Sequence, residues 1–162
     1  MRAVVLADTH LRPGSRRRLP GRVLDELQRA NVVLHAGDIL TGDVLELLAG
    51  YAPVHAVLGN NDRDLGGLLP ERLELDLDGL VVGMVHDSGP RRGRERRLRR
   101  AFPQAGLVVF GHSHIPWNAA GLDGQWLLNP GSPTDKRSQP HPTFATVETR
   151  GGRMLATDIV RV

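Results

Sequence analysis

Short apolar runs, each closed by a polar cluster, recur along this chain. Residues 3–7 (AVVLA) lead into Asp8-Thr9-His10, 32–36 (VVLHA) into Gly37-Asp38, and 54–58 (VHAVL) into Gly59-Asn60-Asn61-Asp62. Further on, 81–85 (VVGMV) lead into His86-Asp87 and 107–110 (LVVF) into Gly111-His112-Ser113-His114. Valine-rich runs of this length are too short for helices and read as buried strands. Between them the pattern predicts helices at about 19–29, 42–49 and 91–101, the second opening on a capping-type Thr41. Strand, helix, strand implies parallel strands whose following loops gather at the carboxyl edge of the sheet, where open α/β folds bind ligands. From Leu122 onward the texture changes to short runs at 126–129, 143–148 and 154–160 separated by Gly and Pro turns, which predicts antiparallel strands forming a second sheet.

Composition narrows the chemistry. At 162 residues with 40% hydrophobic content, the chain fits a single domain, 1–162, able to bury its own core. It has no cysteine, which excludes disulfides, thiolate zinc sites and cysteine nucleophiles, so any metal must sit on nitrogen and oxygen ligands. No stretch has the roughly 18 apolar residues of a membrane span, and a cytoplasmic protein without membrane contact is expected. The net charge is only +3, yet every basic residue except Lys136 is arginine. Seven arginines crowd positions 91–100 and three more stand at 16–18. Such clusters suit anionic partners, phosphate esters or nucleic acid, and equally suit a solvated helix face.

The polar clusters supply carboxylates, imidazoles and a carboxamide, which borderline-hard divalent cations accept. Asp8 and His10, two apart in a strand-exit loop, can turn toward one ion. Asp38 offers two oxygens and can bridge two ions, and His112 and His114 repeat the two-apart spacing. Taken singly, Gly59-Asn60-Asn61-Asp62 is also a turn composition and His86 also a strand-end histidine. Their occurrence in series at five strand ends is what points to a metal site.

That series, Asp8-x-His10, Gly37-Asp38, Gly59-Asn60-Asn61-Asp62, His86 and Gly111-His112-x-His114, resembles the signature of the calcineurin-like metallophosphoesterase superfamily. The segment Asn129-Pro130-Gly131-Ser132-Pro133 is similar to one found after the signature in its small, single-domain bacterial and archaeal phosphodiesterase branch. The resemblance implies a four-layer αββα sandwich, with two mixed β-sheets face to face and helices on both outer sides. It implies one ion on Asp8, His10, Asp38 and His114, and a second on Asp38, Asn60, His86 and His112. Two divalent ions would act, manganese first and iron, zinc or nickel as alternatives, with a metal-activated hydroxide attacking a phosphodiester in line. Asn60 and Asn61 would contact the substrate, and Asn61 and His112 would take catalytic roles.

Two positions depart from the family pattern. Histidine commonly follows the ligand asparagine, where this chain has Asn61, which cannot act as an acid. Glycine often follows the histidine at 86, where this chain has Asp87, either an acceptor orienting a ligand or a group facing water. His35, His55 and His141 read as structural or exposed, Asp62 as a turn-stabilising group, and Trp117 and Trp126 as packing residues. The alternative functions are a nuclease or nucleic-acid end-processing enzyme, for which the 4% aromatic content offers few stacking platforms, and a non-enzymatic protein-interaction scaffold on the same fold.

Overall fold

The computed structural model describes all 162 residues. Along the chain run β1 (Arg2–Leu6), α1 (Gly21–Leu27), β2 (Val32–His35), α2 (Gly42–Ala49), β3 (Val54–Ala56), β4 (Arg72–Leu77) and β5 (Leu80–Val85). They are followed by α3 (Arg94–Ala101), β6 (Leu107–Val109), β7 (Trp117–Ala120), β8 (Trp126–Asn129), β9 (Thr143–Arg150) and β10 (Arg153–Arg161). A single 3₁₀ turn lies at Arg63–Leu65. No helix is long and apolar enough to cross a membrane.

The strands form two mixed five-stranded sheets, ordered β10-β9-β1-β2-β3 and β4-β5-β6-β8-β7. In the first, β1, β2 and β3 are parallel and β9 runs antiparallel to β1. In the second, β5, β6 and β8 are parallel, with antiparallel β4 and β7 at its two edges.

The four-layer sandwich follows from which faces are apolar. One core cluster joins Ala3, Val5, Val32 and Leu34 of the first sheet to Val82, Met84, Leu107, Val109 and Leu128 of the second, so the sheets pack face to face. Residues one step out of phase in the same strands, Val4, Leu6 and Val33, point the other way onto Val23, Leu27, Val44 and Leu48 of α1 and α2. On the far side, Val108 and Leu127 meet Leu98 of α3 and Phe102. Strands buried on both faces need apolar residues at every position, which is why these runs show no alternation.

The elements depart from expectation in three ways. The five apolar runs are split between the sheets, three in the first and two in the second. The late strands do not build a second sheet of their own: β8 joins the second sheet parallel to β6, while β9 and β10 extend the first beside β1. The strands β4 and β7 lie at sheet edges, and β4 has one face in solvent. In β4 this leaves an alternating RLELDL pattern that a search for continuous apolar runs passes over. Thr41 stands at the N-cap of α2, but its side chain makes no capping hydrogen bond.

His35, the last residue of β2, is fully buried beneath the carboxyl edge, with Nε2 3.0 Å from Thr9 Oγ1. Burial, aided by nearby His86, holds it neutral and pushes its pKa down to about 3. The unfolded chain takes up a proton near pH 6.5 that the folded chain refuses. The His35 contribution to stability is therefore complete above pH 6.5 and is lost as the pH falls toward 3. His35→Gln is expected to flatten the dependence of unfolding free energy on pH across that window, measured by urea denaturation at several pH values.

Candidate metal centre

Three of the strand-exit loops share an uncommon backbone. Asp8 and His10 (φ 54° and 45°), Asp38 and Leu40 (φ 58° and 92°), and His112 and His114 (φ 68° and 58°) each place two residues in left-handed conformation with one ordinary residue between. L-residues avoid this region. The alternation brings the side chains of Asp8, His10, Asp38, His112 and His114 into one cluster of donors, to which Leu40 adds none, and a net of hydrogen bonds holds it. The buried Asp62 carboxylate accepts from the backbone N–H of Asp38 (2.9 Å), Leu40 (2.7 Å) and Gly59 (2.8 Å). Ser132 Oγ donates to the carbonyl of Asp8 (2.7 Å), Thr134 Oγ1 to that of Thr9 (2.5 Å), and Asn129 Nδ2 to that of Gly111 (2.8 Å). The loops also touch directly: a Cβ on Gly59 would lie 2.1 Å from the Asp38 nitrogen, so only glycine fits there.

All seven candidate ligands come together in two groups that meet at Asp38. In the first, His10 Nε2 is 3.2 Å from His114 Nε2 and 3.6 Å from Asp38 Oδ2, and His114 Nε2 is 3.5 Å from Asp8 Oδ1. In the second, Asn60 Oδ1 lies 3.0 Å from His86 Nε2 and 2.9 Å from His112 Nδ1, and His86 Nε2 is 3.6 Å from Asp38 Oδ1. Asp38 thus turns one oxygen to each group.

The donor chemistry fits a cation. His86 Nδ1 lies 2.7 Å from the Ala36 carbonyl and His114 Nδ1 2.5 Å from that of Asp135. A carbonyl can only accept, so both Nδ1 atoms carry the proton, and in the neutral rings Nε2 is a bare lone pair. Burial lowers the pKa of His10, His86 and His114, favouring those neutral rings. Lone pairs of His86 and Asn60 then face each other at 3.0 Å, an arrangement a positive ion relieves. Both oxygens of Asp8 are buried with no hydrogen-bond partner, and burial together with the neighbouring Asp38 raises its pKa to about 8. Asp38 behaves differently. Burial opposes its charge, but two hydrogen bonds from Asn61 outweigh that and its pKa is lowered. In each of the groups Asp8-His10-His114 and Asp8-Asp38-His86 three ligand atoms lie within 4.8 Å of one another, the spacing a single ion needs.

Asn61 is tied into this centre rather than standing free, its N–H on Asp38 Oδ1 (2.8 Å) and its Nδ2 on Asp38 Oδ2 (2.7 Å). Asp87 is exposed and accepts only from the N–H of Gly89, so it caps a turn and orients no ligand. Asp62 is the turn-stabilising group expected. His55 is half-buried and His141 exposed, both outside the cluster. The arginines of 91–100 serve the fold in part: Arg94 stacks on Phe110 and Trp117, and the Arg97 guanidinium donates to the carbonyls of Ser88, Pro90 and Arg92. Sequence reasoning missed the holding roles of Asn129, Ser132, Thr134 and Asp135. The Asn-Pro-Gly-Ser-Pro segment marked Asn129 and Ser132 but not Thr134 or Asp135 just after it, and the partners of Ser132 and Thr134 lie more than a hundred residues away.

Comparison with known proteins agrees with this geometry. Residues 1–152 match the calcineurin-like phosphoesterase superfamily domain, and the chain belongs to that family. A probable metallophosphoesterase from Methanothermobacter thermautotrophicus is 33% identical over 160 residues, covering 97% of this chain and 90% of that protein. Among solved structures, Vps29 from Entamoeba histolytica in complex with zinc superposes with a TM-score of 0.79 at 23% identity, over 100% of this chain and 98% of that one. An archaeal phosphodiesterase superposes at 0.75 and 19% identity, over 99% and 100%. Both structural likenesses speak to the fold. The family acts on phosphoesters with divalent metals, and this chain carries an Asp/His cluster able to hold them.

Because Asp62 alone satisfies three buried N–H groups, Asp62→Ala is expected to lower the unfolding free energy by on the order of 3 kcal/mol or more and to weaken metal binding as well. Asp62→Asn, which keeps one acceptor oxygen, should fall between. Urea denaturation and calorimetric metal titration check both, and a stable Asp62→Ala with unchanged metal affinity would remove the role.

Proposed function

We propose that this protein is a binuclear metal-dependent phosphodiesterase, a cytoplasmic enzyme acting on a small phosphodiester. The observation that carries the reading is the pair of donor groups sharing Asp38. Asp8, His10, Asp38 and His114 would hold one ion, and Asp38, Asn60, His86 and His112 the other. Nitrogen and oxygen donors without thiolate favour manganese, with iron, zinc and nickel as alternatives. When bound, two such ions supply Lewis-acid polarisation of a phosphoryl oxygen, a nucleophile from water near neutral pH, and charge stabilisation at the leaving oxygen.

The chain's own residues do the rest. Asp38 stays ionised through the two Asn61 bonds and keeps the two groups in register. Asn60 and Asn61, exposed at the rim, would present amide groups to the phosphate, and His112, half-buried beside Asn60, would contact the reacting phosphoryl oxygens. Asn61 offers the leaving oxygen only a neutral N–H and no proton. A diester, with a single negative charge, tolerates that better than a dianionic monoester. The name of the archaeal phosphodiesterase of the same fold agrees with this preference.

The test is turnover of bis(p-nitrophenyl) phosphate and p-nitrophenyl phosphate by protein loaded with manganese. The diester should be the better substrate, chelation should abolish turnover, and added metal should restore it. General-acid help is worth roughly 10²–10⁴-fold where it operates, so Asn61→His should raise the monoester-to-diester rate ratio by at least about tenfold. A metal-loaded wild type that prefers the monoester would overturn the diesterase reading.

A further inference from the structure

Beside the metal centre lies a basic groove that no part of the proposed chemistry uses. One lobe, of about 580 Å³, is walled by Arg12, Arg63, Asn61 and Thr41; the second, of about 410 Å³, by Arg12, Arg16, Arg17 and His10. The lobes share Arg12 and Leu40, the residue held at φ 92° by the Asp62 bond. Each touches the centre, the first through Asn61, whose amide sits on Asp38, and the second through His10. The first lobe has room for about twenty water volumes, more than a single phosphate group at the centre needs.

Charge and polarity define what belongs there. Four arginines line the groove against one acidic residue, Asp64. Arg17 pairs with Asp135 at 2.9 Å, whereas Arg12, Arg16 and Arg63 make no salt bridge. Leu40 is the one hydrophobic side chain in either lobe. Thr41 Oγ1 in the first lobe and Ser15 Oγ in the second have no hydrogen-bond partner. The arginines of 91–100, by contrast, are partly consumed by Trp117, Phe110 and backbone carbonyls. An apolar or aryl group gains little in this groove. A second anion gains charge-assisted bonds from guanidinium groups that have no other partner.

We infer that the groove is a subsite for a second phosphate, so that the substrate is a phosphodiester carrying a further phosphate group near the scissile one. This inference rests on the phosphodiesterase reading of the adjoining centre. Arg12, common to both lobes, and Arg63, next to Asp62 in sequence, are the residues that hold the second phosphate. The same chemistry is met by a nucleotide chain, where the next phosphate lies across a sugar, and by a nucleoside polyphosphate, where it is adjacent.

The experiment is calorimetric binding to metal-loaded protein of three ligands without a cleavable diester: thymidine 5′-phosphate, thymidine 3′,5′-bisphosphate, and the methylene analogue of thymidine 5′-diphosphate. At least one two-phosphate ligand should bind about tenfold or more tightly than the monophosphate, the size of one charge-assisted contact. The ligand that gains tells which spacing the groove accepts. In Arg12→Gln/Arg63→Gln the advantage should collapse to less than about twofold, while Arg96→Gln/Arg100→Gln, which removes equal charge from α3, should retain it. Equal affinity for all three ligands, or an advantage that survives the Arg12/Arg63 change, would overturn the subsite. Binding is read without turnover, so the two readings fail separately. A protein that shows the arginine-dependent advantage but cleaves no diester contradicts the enzyme and keeps the subsite, and an active diesterase indifferent to the second phosphate does the reverse.

Discussion

Three backbone N–H groups, from Asp38, Leu40 and Gly59, end on the single buried carboxylate of Asp62, and the geometry of the centre depends on that convergence. It ties the loop after β2 to the loop after β3 and stabilises a backbone that the sequence would otherwise resist. Left-handed conformation costs an L-residue roughly 1–2 kcal/mol, and six non-glycine positions adopt it in these three loops. A domain's whole net stability is only about 5–15 kcal/mol, so such turns persist only where the surroundings over-determine them. Asp62 does this on one side, and Ser132, Thr134 and Asn129 do it on the other.

The electrostatics of the centre follow from the same frame. With the backbone fixed, acceptor atoms are left crowded or unpartnered: His86 Nε2 faces Asn60 Oδ1, and Asp8 has neither oxygen partnered. Burial favours neutral His10, His86 and His114 and raises the pKa of Asp8 to about 8, while Asn61 keeps Asp38 ionised. An isolated protein without cations gains nothing from this arrangement. It is complementary to positive charge, and binding it must displace the Asp8 proton.

Most of the centre was legible in the sequence because its residues follow buried strands, and a strand buried on both faces announces itself as a short valine-rich run. The helix at Gly42–Ala49 and the strand at Trp126–Asn129 were read to the residue for similar reasons of patterning. Sheet membership was not legible. Local pattern says that 81–85 and 107–110 are buried strands, but the choice of neighbours rests on contacts between residues far apart in sequence, and β9 pairs with β1 across almost the whole chain. Edge strand β4 escaped because half its side chains face water, and β7 because its WNAA run has no β-branched residue. The left-handed turns escaped because Asp8, Asp38, His10, His112 and His114 are types that also occur in ordinary loops, and nothing local marks Leu40.

The proposed binuclear centre requires Asp38 to be a carboxylate shared between two ions. Anomalous scattering from crystals of the manganese-loaded protein, recorded at the manganese edge, tests this most directly. Two peaks about 3.5–4 Å apart, one against each oxygen of Asp38, are the predicted result. A single peak, or two peaks of which either lies out of reach of Asp38, would contradict it.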